Sequence, residues 1–277
     1  MNETAVGAES PEEKPAGKKK KEEGSFAAFL IKLVVAVVLF RTLLFTSFSI
    51  PSESMMPRLL VGDFLFASKW SYGYSGASLP IDWDSGKGRI FGSLPDRGDV
   101  VIFKHPLDRT DYVKRVIGLP GDTVQMVAGV LHLNGAPVSK VRIADFVVPI
   151  ESDGRCWRAS YTRRLADGSF TCRYPRYRET LPGGVSYQVL DLGVTDVDST
   201  EPLIVPEGMV FMMGDNRDNS QDSRRSAVPG GWVGFVPVEN LVGRASFMFF
   251  STDGSAELLK PWTWFTAARW DRIGSAI

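Results

Sequence analysis

One apolar run dominates the hydrophobic pattern of the chain. From Phe26 to Ile50 it is interrupted only by Lys32, Arg41 and a few hydroxyl side chains. As a helix, twenty-five residues cover about 37 Å, enough to cross a bilayer. Residues 1–24 ahead of it are polar and end in Lys18-Lys19-Lys20-Lys21-Glu22-Glu23. Such a segment buries too little apolar surface to fold and reads as a disordered tail. A lysine cluster before a span places that end in the cytoplasm. The expected organisation is a tail at 1–24, a single transmembrane helix at 25–48 and an outward-facing domain at 49–277. A cleavable signal peptide with Ser47-Phe48-Ser49 as its cut site is the rival reading. The retained anchor is preferred, because the run is long and such a cut would fall beside the most chemically suggestive stretch of the chain.

Beyond the span the period changes from helical to alternating, punctuated by turns. Gly62-Asp63 turns into a strand, and 70–94 is an aromatic, Gly/Ser/Pro-rich loop. Strands are expected at Val100 to Lys104, Tyr112 to Ile117 and Thr123 to Val127. Asn134-Gly135 joins a hairpin whose first strand is Val130 to Leu133. Residues 145–193 read as further strands, with a turn at Ala166-Asp167-Gly168. Met209 to Met213 and Val242 to Phe250 follow, and 261–273 has apolar residues at the spacing of a short amphipathic helix. The fold class is therefore mainly β, a barrel-like or sandwich domain behind one transmembrane helix.

Composition narrows the function. Thirty-two basic residues balance thirty-two acidic ones, so a nucleic-acid partner is not indicated. The two cysteines, Cys156 and Cys172, form no CxxC, so a cysteine-built metal site is unsupported and no cofactor is implied. An oxidising compartment permits a disulfide. Two strands meeting at Ala166-Asp167-Gly168 do not set these cysteines opposite one another, which argues against it.

Candidate chemistry gathers just after the span, in Pro51-Ser52-Glu53-Ser54-Met55-Met56-Pro57. Two prolines stiffen the segment, and Ser52 and Ser54 share one side if it is extended. One hydroxyl can attack while the other donates to an oxyanion. The same residues also read as a polar exit loop. A nucleophilic serine needs a base. His105 and His132 are the two histidines, and neither has an evident orienting carboxylate. Lys114 shares a strand face with Tyr112 and Val116, whereas Arg115 falls on the other face. Apolar surroundings lower a lysine's pKa and free its lone pair; a solvated strand lysine is the plainer alternative. Residues 214–224 are too polar for core. EF-hand calcium spacing fails there, because Arg217 takes the third position from Asp215 and no glycine takes the sixth. A scaffold loop braced by Asp222 and Arg224, presenting Ser220 to a buried lysine, fits better.

In order, Pro51-Ser-Glu-Ser-Met-Met-Pro57, Val61-Gly-Asp63, Asp111-Tyr-Val-Lys-Arg-Val-Ile-Gly-Leu-Pro-Gly-Asp122 and Gly214-Asp-Asn-Arg-Asp-Asn-Ser-Gln-Asp-Ser-Arg224 resemble the bacterial type I signal peptidases, serine–lysine proteases of the membrane. Gly234-Phe-Val-Pro237 and Val242-Gly-Arg244 add to the likeness, and 139–200 matches a family-like insertion. The resemblance implies Ser54 as nucleophile and Lys114 as general base. It implies an oxyanion hole of the Ser54 N–H and Ser52 hydroxyl, with Ser220, Asp222 and Arg224 supporting the dyad. It also implies a periplasmic catalytic domain on the inner membrane, contact with membrane lipid, and exported preproteins with small residues at −1 and −3 as substrates. Arg58 departs from the small hydroxylic residue usual after Pro57, and Arg225 to Gly231 is a further insertion. Two rival functions remain: a specialised peptidase maturing one pilus or conjugation protein, and a non-catalytic anchored binding domain.

Overall fold

The computed structural model describes residues 18–78, 88–150, 155–257 and 259–277. Residues 1–17 of the tail expected at 1–24, and 79–87 of the aromatic loop, lie outside the described residues; 18–24, expected to be unstructured, are helical. Two units are distinguished, up to Arg41 and from Thr42 onward. In the first, helix α1 (Lys18–Leu39) gives way to a π turn at Phe40–Leu44. Phe26–Leu44 is the one stretch among the described residues long and apolar enough to cross a bilayer.

The helix expected to reach residue 48 stops at Leu39, and Phe45–Ser49 is a strand, β1, opening the second unit. Apolar composition does not separate helix from strand over so short a run. The backbone of Phe45–Ser49 pairs residue for residue with Phe64 to Ser68 instead.

The second unit is mainly β. Its further strands among the described residues are β2 (Asp63–Ser68), β3 (Val100–Lys104), β4 (Asp111–Gly118), β5 (Thr123–Val127), β6 (Val130–Leu133), β7 (Ala136–Pro137), β8 (Ser139–Pro149), β9 (Thr162–Arg164), β10 (Phe170–Thr180), β11 (Ser186–Leu190), β12 (Leu203–Ile204), β13 (Met209–Met213), β14 (Val236–Pro237) and β15 (Leu241–Ser251). Seven form one antiparallel sheet in the order β1-β2-β15-β3-β4-β13-β14. Bulges in β15, between Ala245/Phe247 and Met248/Phe250, add bend and twist. β1 is an edge, and three strands separate it from β4, yet one cleft is lined by residues of both. The sheet must therefore curl.

Strands β5, β6, β7 and β12 make a second sheet, and β8 to β11 a third, which accounts for most of the insertion at 139–200. Asn134 and Gly135 both take positive φ, 53° and 80°, as the Asn-Gly hairpin turn requires. Buried Ile102, Val100, Leu65 and Met55 form one core cluster; Phe103, Val116 and Met212 centre a second, and Ile117, Phe211 and Met213 lie in a third.

One question the sequence left open is settled, and one further expectation changes. Cys156 and Cys172 are disulfide-bonded, with Cα atoms 5.5 Å apart. The hairpin register is as anticipated, for Cys172 faces Thr162. Cys156 instead comes from the segment before β9, which folds back over the hairpin through a 3-10 turn at Ala159–Tyr161. The amphipathic helix expected over 261–273 is only the short α2 (Thr263–Thr266). Its backbone is diverted into pairing with β15 and the residue beyond it: Arg269 N–H donates to Ser251 O, and Ala268 and Ala276 bridge Thr252 and Phe247.

Candidate active site

Three segments far apart in sequence build the site. Ser54 lies in a single 3-10 turn, Glu53–Met55, just after Pro51. The first N–H groups of a helical turn have no partner inside it, so this turn offers donors at its start. Ser54 is 7% exposed and Lys114, on β4, 3%. Lys114 Nζ and Ser54 Oγ are 2.6 Å apart. Ser52 Oγ lies 3.4 Å from Ser54 Oγ, the long limit of a hydrogen bond. All three line a cleft of about 560 Å³ with Phe48 and Ser49 of β1 and Asp111 to Val113 of β4.

Lys114 is the electrostatic centre. Burial pulls its pKa from 10.5 down to about 8; Asp222 and Asp215 pull it back up and Arg224 adds to the fall. No carboxylate oxygen is bonded to Nζ among the described residues; Ser54 is its hydrogen-bond partner, and the Tyr112 ring centre stands 5.7 Å away. Alternation along β4 turns Arg115 the other way. There Asp215 grips it by two bonds of 2.7 and 2.6 Å, and its guanidinium stacks 4.3 Å from Tyr187.

The loop from Gly214 to Arg224 locks the segment that carries Ser54. Asn216 N–H donates to Ser54 O at 3.0 Å, Asn216 Nδ2 to Glu53 O at 3.2 Å, and Asn219 Nδ2 to the Glu53 carboxylate at 2.8 Å. The approach is so close that a Cβ on Gly214 would stand 2.5 Å from Ser54 O and 2.3 Å from Ser220 Oγ. Within the loop, Arg224 binds Asp222 at 2.8 and 2.9 Å, and Asp222 accepts Gly214 N–H at 3.1 Å. Ser223 ties both its N–H and its hydroxyl to Met212 of β13. These carboxylates are committed to arginines, not gathered for a cation.

The structure thus brings Ser52, Ser54, Lys114 and Ser220 into one cleft and sets Asp222 and Arg224 directly behind it. Ser220 Oγ is buried and has no hydrogen-bond partner, so it lines the lysine's cavity without bonding Nζ. The histidines lie elsewhere. His105 is buried, with Nδ1 accepting Leu107 and Asp108 N–H groups; its proton therefore sits on Nε2, facing Trp232 O. Asp108 does stand 3.4 Å from that Nδ1, a carboxylate not anticipated, but the lone pair a base would use is already engaged. His132 is in β6, and neither histidine lines the cleft.

Sequence reasoning missed Glu179 and Asp218. Glu179, fully buried in β10, binds Arg217 at 2.5 Å and Tyr187 OH at 3.0 Å, joining the inserted sheet to the loop. Asp218 lines the cleft with its pKa pushed up to about 6 by burial. A charged residue inside a strand was the only local signal for Glu179; Asp218 is one of several acidic residues in a polar run and carried none.

With this geometry in place, comparison with known proteins is informative. The family model for signal peptidase, peptidase S26, matches residues 24–250. The chain is similar to the signal peptidase I of Rickettsia typhi, 36% identical over 82% of this chain and 80% of that protein. It is also similar to that of Rickettsia conorii, 37% identical over 84% and 80%. A crystal structure of a signal peptidase I from Enterococcus faecalis aligns with 56% of this chain and 98% of that one, at 25% identity and a TM-score of 0.30. The chain belongs to the signal peptidase, peptidase S26, family.

Proposed function

We propose that this protein is a membrane-anchored serine endopeptidase that removes signal peptides from exported preproteins with a Ser54–Lys114 dyad. One observation carries the reading: a buried lysine whose pKa is about 8 stands 2.6 Å from a serine hydroxyl in the floor of a cleft. At pH 7 about a tenth of such an amine is neutral. The neutral amine takes the Ser54 proton as Oγ attacks the scissile carbonyl. The oxyanion faces the Ser54 N–H at the start of its turn and the Ser52 hydroxyl. Lys114 then gives its proton to the leaving amine as the C–N bond breaks. Neutral again, it activates a water that hydrolyses the acyl ester and returns the proton to Ser54. Ser220 walls the lysine's cavity, and Asp222 and Arg224 brace the loop that carries Ser220.

The free edge of β1 suits an extended substrate, which would add as a strand opposite β4. Small side chains at −1 and −3 are what the family resemblance implies for that substrate. The organisation proposed with it is an anchor at Phe26–Leu44, long and apolar enough to span, an N-terminus kept in the cytoplasm by the lysine run before it, and a periplasmic catalytic domain at the lipid surface. The test is cleavage of a preprotein with an Ala-x-Ala site in detergent, by the wild type, Ser54→Ala and Lys114→Ala, with circular dichroism as the folding control. Cleavage by the wild type alone is expected. Undiminished cleavage by either variant refutes the dyad.

A further inference from the structure

A second cavity, of about 580 Å³, shares no lining residue with the cleft and is walled by six arginines: Arg58, Arg97, Arg115, Arg178, Arg244 and Arg272. Asp96 and Asp99 are the carboxylate side chains among its described lining residues, which also include Ile277. Four of the arginines are neutralised by neighbours: Arg97 by Asp122 at 2.7 Å, Arg115 by Asp215 at 2.6 Å, Arg244 by Asp99 at 3.1 Å and Arg272 by Asp63 at 2.6 Å. Arg58 and Arg178 are not. Arg58 donates to a backbone carbonyl, Ala276 O, and Arg178 has no side-chain partner among the described residues. The Arg58 guanidinium is held below its ordinary pKa by burial and by the like charges of Arg115 and Arg272. Two guanidiniums without an ion-pair partner facing one concave site attract an anion.

We propose that this cavity binds a phosphate-bearing ligand through Arg58 and Arg178, with Arg244 beside them. These arginines come from three separate elements: the turn after Pro57, β10 and β15. Forks converging from several directions suit a tetrahedral oxyanion better than a planar carboxylate, which one fork satisfies. The volume exceeds that of phosphate alone, and Val185 and Tyr187 give the attached group an apolar wall. The site adjoins the catalytic segments through sequence neighbours: Arg58 is four residues past Ser54, and Arg115 follows Lys114. A lipid headgroup and a free organic phosphate share the required chemistry.

Isothermal titration of the full-length protein in detergent tests this without reference to proteolysis. The probes are inorganic phosphate, at ionic strength held constant with chloride, and dihexanoyl phosphatidylglycerol. Wild type is compared with Arg58→Gln and Arg178→Gln; Arg178 is exposed and makes no side-chain bond, so its variant keeps the fold. Saturable binding of either probe is expected, with Kd raised about tenfold in both variants, as loss of a charge-assisted hydrogen bond implies. Binding of phosphate identifies a soluble phosphate compound, and binding of the lipid alone identifies a headgroup. Absence of saturable binding of both probes to wild type overturns the proposal, as does unchanged affinity in Arg178→Gln.

Discussion

Lys114 and Arg115 are adjacent cations on one strand, both buried, with opposite fates. Arg115 meets a carboxylate fork at 2.6 Å and an aromatic face, and its charge is held firmly, its pKa raised. Lys114 meets a serine hydroxyl and hydrocarbon, and its pKa is pulled down to about 8. Burial alone thus creates neither a base nor a brace. The partner decides: an ion-paired cation fastens two segments together, and an unpaired one can give up its proton.

The largest expected effect comes from Lys114→Met. Turnover should fall about a thousandfold or more, while thermal stability at pH 7 rises. The folded-state pKa lies below the unfolded one, so burying the charge costs stability fully below pH 8 and progressively less towards 10.5. The gain should approach 3 kcal/mol, on the order of the shift, and fade above pH 8 in melting curves. A lower melting temperature at pH 7 would break the comparison on the Lys114 side.

Arg115→Met should do the reverse. It leaves Asp215, 1% exposed, without its counter-charge, at about 3–5 kcal/mol. Arg115→Met/Asp215→Leu should recover most of that in urea unfolding; a single variant as stable as wild type would show that the clamp is idle. Third, the pH profile of kcat/KM should rise with an apparent pKa near 8. A profile flat between pH 7 and 9 would detach Lys114 from the proton transfer. The smallest effect is that of Tyr187→Phe, which removes one buried hydrogen bond to Glu179, about 1 kcal/mol. Its pH limb should coincide with that of wild type; displacement would mean that the two faces of β4 are electrostatically joined.

What was legible in the sequence follows from the range of the contacts. β3, β5, β6 and β13 fall where β-forming runs and the turns beside them placed them, because both signals are local. The opposite facing of Lys114 and Arg115 was legible for the same reason. Selecting Lys114 over the histidines needed the family resemblance, and the short Lys114–Ser54 distance now adds to it. The Arg217–Glu179 pair, 38 residues apart, leaves no periodic trace. Nor does the fold-back of Cys156, which depends on the path of an irregular segment. β1 was hidden by its continuity with the apolar run before it, although three of its five residues, Thr46, Ser47 and Ser49, carry hydroxyls.

The tight fit at Gly214 has a consequence in time as well as space. Asn216 must reach the carbonyl of Ser54, and Gly214 must slip between that carbonyl and Ser220, before the nucleophile is held in place. The two segments are separated by most of the chain. If Ser54 and Lys114 act as proposed, a nascent chain that has emerged only as far as Lys114 still lacks these contacts. The proposed site is complete only once the loop at 214–224 has been made and packed against Ser54.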